Sequence, residues 1–337
     1  MHEPEIGRGV ATDQARRASA LDTRRPPDVE AALPGAGKDK DGSVLTTLAA
    51  AGRGLLRNPG YVLGRFRTIR RAHSHVQRLA RPSDLPLEIG PLYAKSGDIV
   101  PRVPSGRVLS DHSRDDHVAR LRKTAWSDGI RLTPETVAAL VEFAHDSQLT
   151  YRPMPGYHAE VDRLADLTPE RRKSLTTAVL TTDHANPIVR DIAGDPILVD
   201  VLEDYLGFRP RMVEPYFFWS FKSDLPFEER VARQQTVEYH FDVHTLNFAY
   251  IAFYLFDTDR TNGAHVLVEG SHNSKKIGQL FGSARISDAV AEAQYGADKV
   301  QVIEKPAGEG FFEDTSCYHK ALPPADGDRL ILQLRYS

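Results

Sequence analysis

The sequence predicts an α+β protein, mainly β in its second half, in which helices come first and strands follow. Apolar residues recur at helical spacing around 110–206. After Gly207 they form short strand-like runs, separated by turns rich in Gly, Pro and Asp. This order is typical of helices packed beside a sandwich or barrel of strands. The 337 residues are enough to bury a large core.

Two helices can be placed from the signals at their ends. Thr133 is a good N-cap residue and Pro134 suits the first turn, so a helix is predicted to begin there. A second helix is predicted over 194–206, because Asp195-Pro196 opens an apolar run and Gly207 is a natural stop.

The strands of the second half are predicted from apolar and aromatic runs. The run 248–256 is almost continuously apolar, as expected for a strand that is buried on both faces. The other predicted strands are Met212–Phe221, His265–Val268, Gly310–Phe312 and Arg329–Tyr336.

Composition limits the partners and the compartment. The net charge of −3 gives no reason to expect a nucleic-acid partner. A single cysteine, Cys317, excludes an intrachain disulfide, and no apolar stretch follows the paired arginines Arg24-Arg25 as an export signal would require. A cytoplasmic location is therefore expected. The sequence indicates no oligomeric state.

The N-terminal region divides into two parts. Residues 1–43 lack apolar periodicity and are predicted to be a disordered tail. Residues 44–82 form a basic amphipathic segment, with eight arginines and no acidic residue over 44–81, which Asn58-Pro59-Gly60 is expected to divide into two helices. It could meet an anionic lipid, a carrier protein or a phosphorylated substrate. A helix that lies on the main domain, 83–337, with its arginines in water is favoured instead.

A candidate metal site lies in the segment from Tyr239 to His244. In a strand, side chains two residues apart point to the same face, about 6.6 Å apart. His240 and Asp242, or His244 and Asp242, could therefore share one metal ion, but the two histidines together lie too far apart. With His319 as the third ligand, such a set matches the two-histidine, one-carboxylate arrangement of non-haem Fe(II) oxygenases.

Arg329 is a candidate binding residue for a carboxylate. It lies ten residues after His319, across a loop that reads as a hairpin, and this would bring it back beside the metal. Along the final strand Arg329 shares the more polar face with Ile331, Gln333 and Arg335. A guanidinium matches a carboxylate in a two-pronged fashion, as the distal carboxylate of 2-oxoglutarate requires.

From about residue 117 onward, these motifs resemble the phytanoyl-CoA dioxygenase-like family of Fe(II)/2-oxoglutarate oxygenases. The resemblance is carried by Glu238–Asp242, by Tyr254–Asp259 with Asn262–His272, and by His319 with Arg329 and the final strand. Glu269 departs from the family pattern, which has proline before Gly-Ser-His. The resemblance favours His240 over His244 as the metal ligand.

The resemblance implies a double-stranded β-helix, a jelly roll of the cupin type, at about 208–337 with helices packed on one side. It implies that His240, Asp242 and His319 bind Fe(II), and that 2-oxoglutarate, held by Arg329, and O2 are consumed to give succinate and CO2. Because Asp242 is present, hydroxylation, desaturation or cyclisation of a small molecule, for instance from secondary metabolism, is expected over halogenation.

Other residues and other functions remain open at this level. Asn247 could touch 2-oxoglutarate, and Tyr216, Trp219 and His244 could contact the substrate. The competing hypothesis is a cupin-like metal-binding isomerase or ligand-binding module without redox chemistry, which has no need for a carboxylate-binding arginine at position 329. A third is an inactive scaffold that recruits a partner through the basic segment.

Overall fold

The computed structural model describes residues 59–80, 85–91, 94–151, 158–180, 183–233 and 235–337. The tail predicted over 1–43 lies outside the described residues, as do 44–58 and 81–82 of the basic segment. Within the described residues no helix is long and apolar enough to cross a membrane.

Ten α-helices and sixteen strands make up the described chain. The helices are α1 (Pro59–Leu63), α2 (Arg67–Ala80), α3 (Arg114–Thr124), α4 (Pro134–Asp146), α5 (Pro169–Ser174), α6 (Pro187–Ala193), α7 (Pro196–Leu206), α8 (Phe227–Ala232), α9 (Ile277–Phe281) and α10 (Asp288–Tyr295). The first strands are β1 (Leu87–Ile89), β2 (Asp98–Val100), β3 (Val108–Ser110), β4 (Trp126–Leu132), β5 (Leu149–Tyr151), β6 (His158–Ala159), β7 (Thr177–Leu180) and β8 (Met212–Ser220). The remaining strands are β9 (Tyr239–His240), β10 (Ala249–Tyr254), β11 (His265–Val268), β12 (Arg285–Ile286), β13 (Val300–Ile303), β14 (Glu309–Glu313), β15 (His319–Ala321) and β16 (Arg329–Tyr336).

The strands form two sheets, and the fold is a jelly roll with helices. The larger sheet has eleven strands and contains the order β3-β4-β14-β10-β16-β8-β7-β5-β6, with β1 and β2 added beside β8. The smaller sheet has the order β12-β9-β15-β11-β13. All pairings except that of β1 with β8 are antiparallel. The predicted fold class is confirmed.

Three apolar clusters show how the layers pack. One fills the space between the sheets, where Phe218, Ala252 and Ile331 of the larger sheet meet Leu267 and Ile303 of the smaller one. A second and larger cluster joins the other face of the larger sheet to α3, α4, α6 and α7. A third packs the outer face of the smaller sheet against α10. The side chains on the inner faces of both sheets therefore line a common interior.

The helix ends follow the predicted signals. The Thr133 hydroxyl accepts the backbone N–H of Thr136 at the start of α4, and the Asp195 carboxylate accepts that of Ile197 at the start of α7. Gly207 ends α7 at φ 78°, a left-handed conformation that favours glycine. Pro59 opens α1, and a break at Gly64-Arg65-Phe66 separates α1 from α2. The chain before Pro59 lies outside the described residues, so the division expected at Asn58-Pro59-Gly60 stays a prediction.

The region 110–206 contains more strand than the sequence suggests. Strand β4 pairs with β14 and β7 pairs with β8, so residues before 208 extend the larger sheet. The alternation of polar and apolar residues is weak in β4, because Gly129 has a φ of 86° and the pairing with β14 shifts register between Gly310 and Phe312. These irregularities interrupt the alternation that identifies a strand.

Helix α2 lies against the domain, but not with all of its arginines in water. Arg70 is buried and its guanidinium contacts both carboxylate oxygens of Asp314 at 3.3 Å, while Val76 and Leu79 are 58% and 77% exposed. The expected arrangement is therefore wrong at these positions. The reason is that Asp314, buried at the end of β14, attracts the guanidinium inward.

Candidate functional site

His240 and His319 face each other inside the jelly roll. They are paired residues of the neighbouring strands β9 and β15, and their ring centroids are 4.3 Å apart. The Nδ1 of His240 lies 3.0 Å from the carbonyl oxygen of Glu238, and the Nδ1 of His319 lies 3.1 Å from that of Cys317. A carbonyl oxygen only accepts, so each Nδ1 carries the hydrogen. Each Nε2 then keeps its lone pair, as a metal ligand requires.

Asp242 completes a group of three. Its carboxylate oxygens lie 3.9 Å from His240 Nε2 and 3.7 Å from His319 Nε2. These separations are too long for hydrogen bonds and leave room for an ion between the groups. The possible ligand atoms of all three residues lie within 4.8 Å of one another. The Asp242 side chain is 23% exposed, so the centre of the group opens toward solvent.

The strand geometry assumed for this segment is wrong beyond His240. Strand β9 ends there, and the backbone N–H of Asp242 donates to Thr315 at 2.8 Å instead of continuing the ladder with β15. As a result, His244 does not lie far away along a straight strand. Its Nε2 is 3.8 Å from an Asp242 oxygen, but it does not belong to the group of mutually close ligand atoms.

The charges in the site suit a divalent cation. Burial, followed by the neighbouring His319, lowers the pKa of His240 to about 3, so its imidazole is neutral near pH 7. Burial alone would raise the pKa of Asp242, but the nearby imidazoles, first that of His244 and then that of His319, lower it well below the usual range. The neutral imidazole of His240, the imidazole of His319 and one carboxylate therefore converge on one point.

A second group of possible ligands consists of Glu313, Cys317 and His319. Its members already bind other partners. The Glu313 carboxylate lies 3.0 Å from His265 Nε2, and the Cys317 thiol donates to it at 3.4 Å. His265 in turn stacks on His319, with centroids 5.4 Å apart. Because the Glu313 carboxylate is already bound to His265 and Cys317, we infer that this group holds the His319 ring in place and does not bind a metal.

Arg329 is a buried cation that faces the same interior. It is 4% exposed and shares its face of β16 with Ile331, which belongs to the cluster between the sheets. Its Nη1 donates to the carbonyl oxygen of Gly263, and its Nη2 to Ser220 Oγ at 3.0 Å. Nε has no hydrogen-bond partner among the described residues. Burial lowers the pKa of Arg329, and no described carboxylate pairs with it.

Arg329 is linked to the histidines by contacts through Gly263 and His265. Gly263, whose oxygen it contacts, lies two residues before His265, and the His265 ring stacks on His319. Arg329 is thus linked to His319 through Gly263 and His265, and it faces the same interior.

The other residues proposed from sequence do not all reach the interior. Tyr216 packs at the edge of the cluster between the sheets and lies 5.6 Å from Phe218. Trp219 points to the opposite face of β8, where it stacks on Phe221 in the core beneath the helices. This placement argues against Trp219 as a substrate-binding residue, because adjacent strand residues face opposite sides.

Asn247 is also engaged elsewhere. Its side-chain nitrogen donates to the Arg70 carbonyl oxygen and to Ser74 Oγ, both at 2.7 Å. It therefore fastens the loop after Asp242 to α2, and this argues against direct contact with 2-oxoglutarate. Glu269, the residue that departs from the family pattern, accepts a hydrogen bond from the Trp126 indole at 3.0 Å.

The buried partners of Asp314 and Glu313 were not predicted from the sequence. Asp314 accepts from Arg70 and, at 2.5 Å, from the Tyr205 hydroxyl. Two adjacent acidic residues at the end of a buried run were the available signal, since buried carboxylates are normally paired.

Among known proteins, no protein-family model and no curated protein matches the chain. Solved structures do: AviO1 from Streptomyces viridochromogenes Tue57 is 17% identical, over 68% of this chain and 96% of that one, with a TM-score of 0.42. The alpha ketoglutarate-dependent epimerase SnoN, in complex with Fe3+, alpha ketoglutarate and nogalamycin RO, is 15% identical over 66% and 82%, with a TM-score of 0.44.

HygX from Streptomyces hygroscopicus, with nickel, 2-oxoglutarate and hygromycin B bound, is 14% identical, over 66% of this chain and 86% of that one, with a TM-score of 0.45. At these identities and scores the likeness assigns no reaction to the chain.

Proposed function

We propose that the protein is a non-haem Fe(II)- and 2-oxoglutarate-dependent oxygenase that oxidises a small molecule. The observation that carries this proposal is the arrangement of His240, Asp242 and His319. Both histidines are fixed so that Nε2 offers a lone pair beside one carboxylate. This donor set is the one that non-haem Fe(II) oxygenases use to leave part of the coordination sphere open.

The second support is the charge of Arg329. A buried guanidinium without a carboxylate partner is costly, and in addition one of its donors has no acceptor. The distal carboxylate of 2-oxoglutarate would supply both the missing charge and the missing acceptor. A metal-binding module without redox chemistry gives no reason for this residue.

The protein groups have distinct tasks in this proposal. His240, Asp242 and His319 would hold the iron, the Glu238 and Cys317 carbonyl oxygens fix the tautomers of the two imidazoles, and His265 supports the His319 ring. When bound, iron and 2-oxoglutarate supply the activation of O2. Arg329 orients the cosubstrate, while Tyr216 and His244 are the remaining candidates for contact with the substrate. Hydroxylation is the reaction proposed, with desaturation or cyclisation as variants of the same oxidation.

The test is an anaerobic titration. Fe(II) and then 2-oxoglutarate are added to the metal-free full-length chain, and the visible absorption spectrum is recorded. A charge-transfer band that requires both additions and is absent in His319→Ala supports the proposal. If the folded, iron-loaded protein gives no band, the oxygenase proposal fails and a cupin-like binding module takes its place.

His244→Ala is the matched control. His244 contacts Asp242 but does not belong to the group of mutually close ligand atoms, so the variant should keep the band. Loss of the band in His244→Ala, with retention in His240→Ala, would show that the wrong histidine has been assigned.

A further inference from the structure

A cavity of about 200 Å³ lies between α2 and the domain, and its wall is rich in arginine. We call it the arginine cavity. Its lining includes Arg67, Arg70 and Arg71 of α2 together with Arg122 of α3. The predicted metal ligands are not part of its wall. The cavity is therefore a feature separate from the site of His240, Asp242 and His319.

The charges around the arginine cavity do not balance. Asp314 is the carboxylate in its lining, and it is already bound by Arg70 and by the Tyr205 hydroxyl. Arg67 and Arg71 have no carboxylate partner among the described residues, and Arg122 donates to the backbone oxygen of Asp204. Four guanidinium groups thus face one carboxylate, and the excess positive charge favours an anion there.

Two further observations favour an anion in the cavity. Partial burial, and then the charges of Arg71 and Arg70, lower the pKa of Arg67, so these three cations repel one another across a short distance. His272 also lines the cavity and is 7% exposed, and its Nδ1 has no hydrogen-bond partner among the described residues. A buried polar atom of this kind is normally satisfied, so it requires a partner.

The arginine cavity is connected to the proposed metal site by two short paths. Phe248 lies in the wall of the cavity, and its ring centroid is 5.4 Å from that of His244. The Nε2 of His244 is in turn 3.8 Å from an Asp242 carboxylate oxygen. In addition, Asp314 is followed by Thr315, whose carbonyl oxygen accepts the backbone N–H of Asp242. The residues that line the cavity are therefore direct neighbours of the residues that position Asp242.

We propose that the arginine cavity binds the phosphoryl group of a soluble phosphorylated molecule and so anchors the substrate of the oxygenase. The anchoring role depends on the proposed function, whereas phosphate binding does not. Several guanidinium forks match the three acceptor oxygens and double charge of a phosphate better than one carboxylate. The volume equals that of about seven waters, at about 30 Å³ each, which suits a phosphate or diphosphate. A membrane surface does not reach Arg70, which is 9% exposed.

Isothermal titration calorimetry of the full-length chain with inorganic phosphate and with pyrophosphate tests this. Binding is expected for both. In the double variant Arg67→Gln/Arg71→Gln the Kd for pyrophosphate should rise about tenfold or more, because two charge-assisted contacts are lost. Both side chains are exposed, so the fold should survive, and circular dichroism checks this.

Arg78→Gln is the matched control. Arg78 lies on the same helix and is exposed, but its guanidinium donates to the Gly207 carbonyl oxygen and it does not line the cavity. The Kd of the Arg78→Gln variant for pyrophosphate should stay within about twofold of that of the wild type, because salt screens long-range charge effects. An equal loss in Arg78→Gln and the double variant would reduce the binding to general electrostatics and overturn the proposal.

Two more outcomes would also overturn it. Displacement of pyrophosphate by millimolar 2-oxoglutarate would make the cavity a general dicarboxylate site. Sedimentation with phosphatidic acid vesicles, lost in the double variant and without measurable pyrophosphate binding, would assign the arginines to a lipid surface. The direct titrations with phosphate and pyrophosphate contain neither iron nor 2-oxoglutarate, so their failure is distinct from failure of the charge-transfer test.

Discussion

Replacing Arg329 by glutamine separates a binding role from a structural one, because the same strand carries a second buried arginine for comparison. Arg329 and Arg335 share one face of β16 and each is 4% exposed. Arg335 forms a buried ion pair with Glu214, at 2.7 Å from Nε to Oε2. Arg329 contacts a carbonyl oxygen and a hydroxyl, but no described carboxylate.

The expected magnitudes differ in kind. In Arg329→Gln the charge-assisted pair with the distal carboxylate of 2-oxoglutarate is lost, at about 1.5–3 kcal/mol, which is about ten- to 150-fold in Kd. Stability should fall by no more than about 2 kcal/mol, because two hydrogen bonds are lost while a desolvated charge is removed. In Arg335→Gln the buried ion pair of Glu214 is broken, at about 3–5 kcal/mol of unfolding free energy.

The assay is an anaerobic titration of 2-oxoglutarate into the Fe(II)-loaded protein, followed by the charge-transfer band, together with urea denaturation of each variant. Arg329→Lys keeps the charge but loses the two-pronged geometry, so an intermediate Kd is expected. If Arg329→Gln binds 2-oxoglutarate as tightly as the wild type, while Arg335→Gln remains folded and binds weakly, the roles of the two arginines have been exchanged and the argument from unpaired charge is refuted.

Three further predictions concern the proposed metal ligand Asp242, the partly buried Lys275 and a close contact at Gly64. Asp242→Ala should lose Fe(II) affinity and succinate formation while its circular dichroism stays unchanged; retained turnover would mean that Asp242 is not a ligand. Burial, and then the charge of Arg70, lower the pKa of Lys275 to about 7. Between about pH 7 and pH 10 the lysine is therefore protonated in the unfolded chain but not in the folded one. The free energy of unfolding should rise with pH over this range. Lys275→Met should flatten this rise in urea denaturation at pH 6.5 and pH 9.5, and an unchanged slope would show a lysine with an ordinary pKa. A Cβ at Gly64 would meet Val243 Cγ1 at 2.8 Å, so Gly64→Ala should lower the melting temperature, whereas an equal or higher value would mean that this turn does not pack tightly on the loop.

Local signals in the sequence were enough for much of the fold. Strand β16 has the predicted bounds, α4 starts at its predicted N-cap Thr133, and α7 ends at its predicted stop, Gly207. Each of these signals lies within a few residues of the element that it specifies. The strands β3 to β7 carry no such local pattern: β3, β5 and β6 have only two or three residues each, and β4 pairs with the distant β14. Their formation depends on tertiary packing.

The predictions for the site differ in the same way. His240 and His319 come together as predicted, through the pairing of β9 with β15, while their role as ligands stays a prediction. The face on which Trp219 lies could not be predicted, because both sides of β8 are buried and alternation of polar and apolar residues gives no information there. The contact of Asn247 with α2 could not be predicted either, because α2 precedes it by more than 170 residues.

Helix α2 links the two segments that surround the proposed metal site. Asn247 is fastened to the Arg70 carbonyl oxygen and to Ser74, and this fixes the loop that follows Asp242. The Arg70 guanidinium holds Asp314 on the other side, next to the residue whose carbonyl oxygen accepts the Asp242 N–H. Because one helix contacts both segments and also supplies three arginines to the arginine cavity, an anion bound there would tighten the same helix that positions the Asp242 loop. Substrate binding and the geometry of the metal ligands are therefore expected to be coupled through α2.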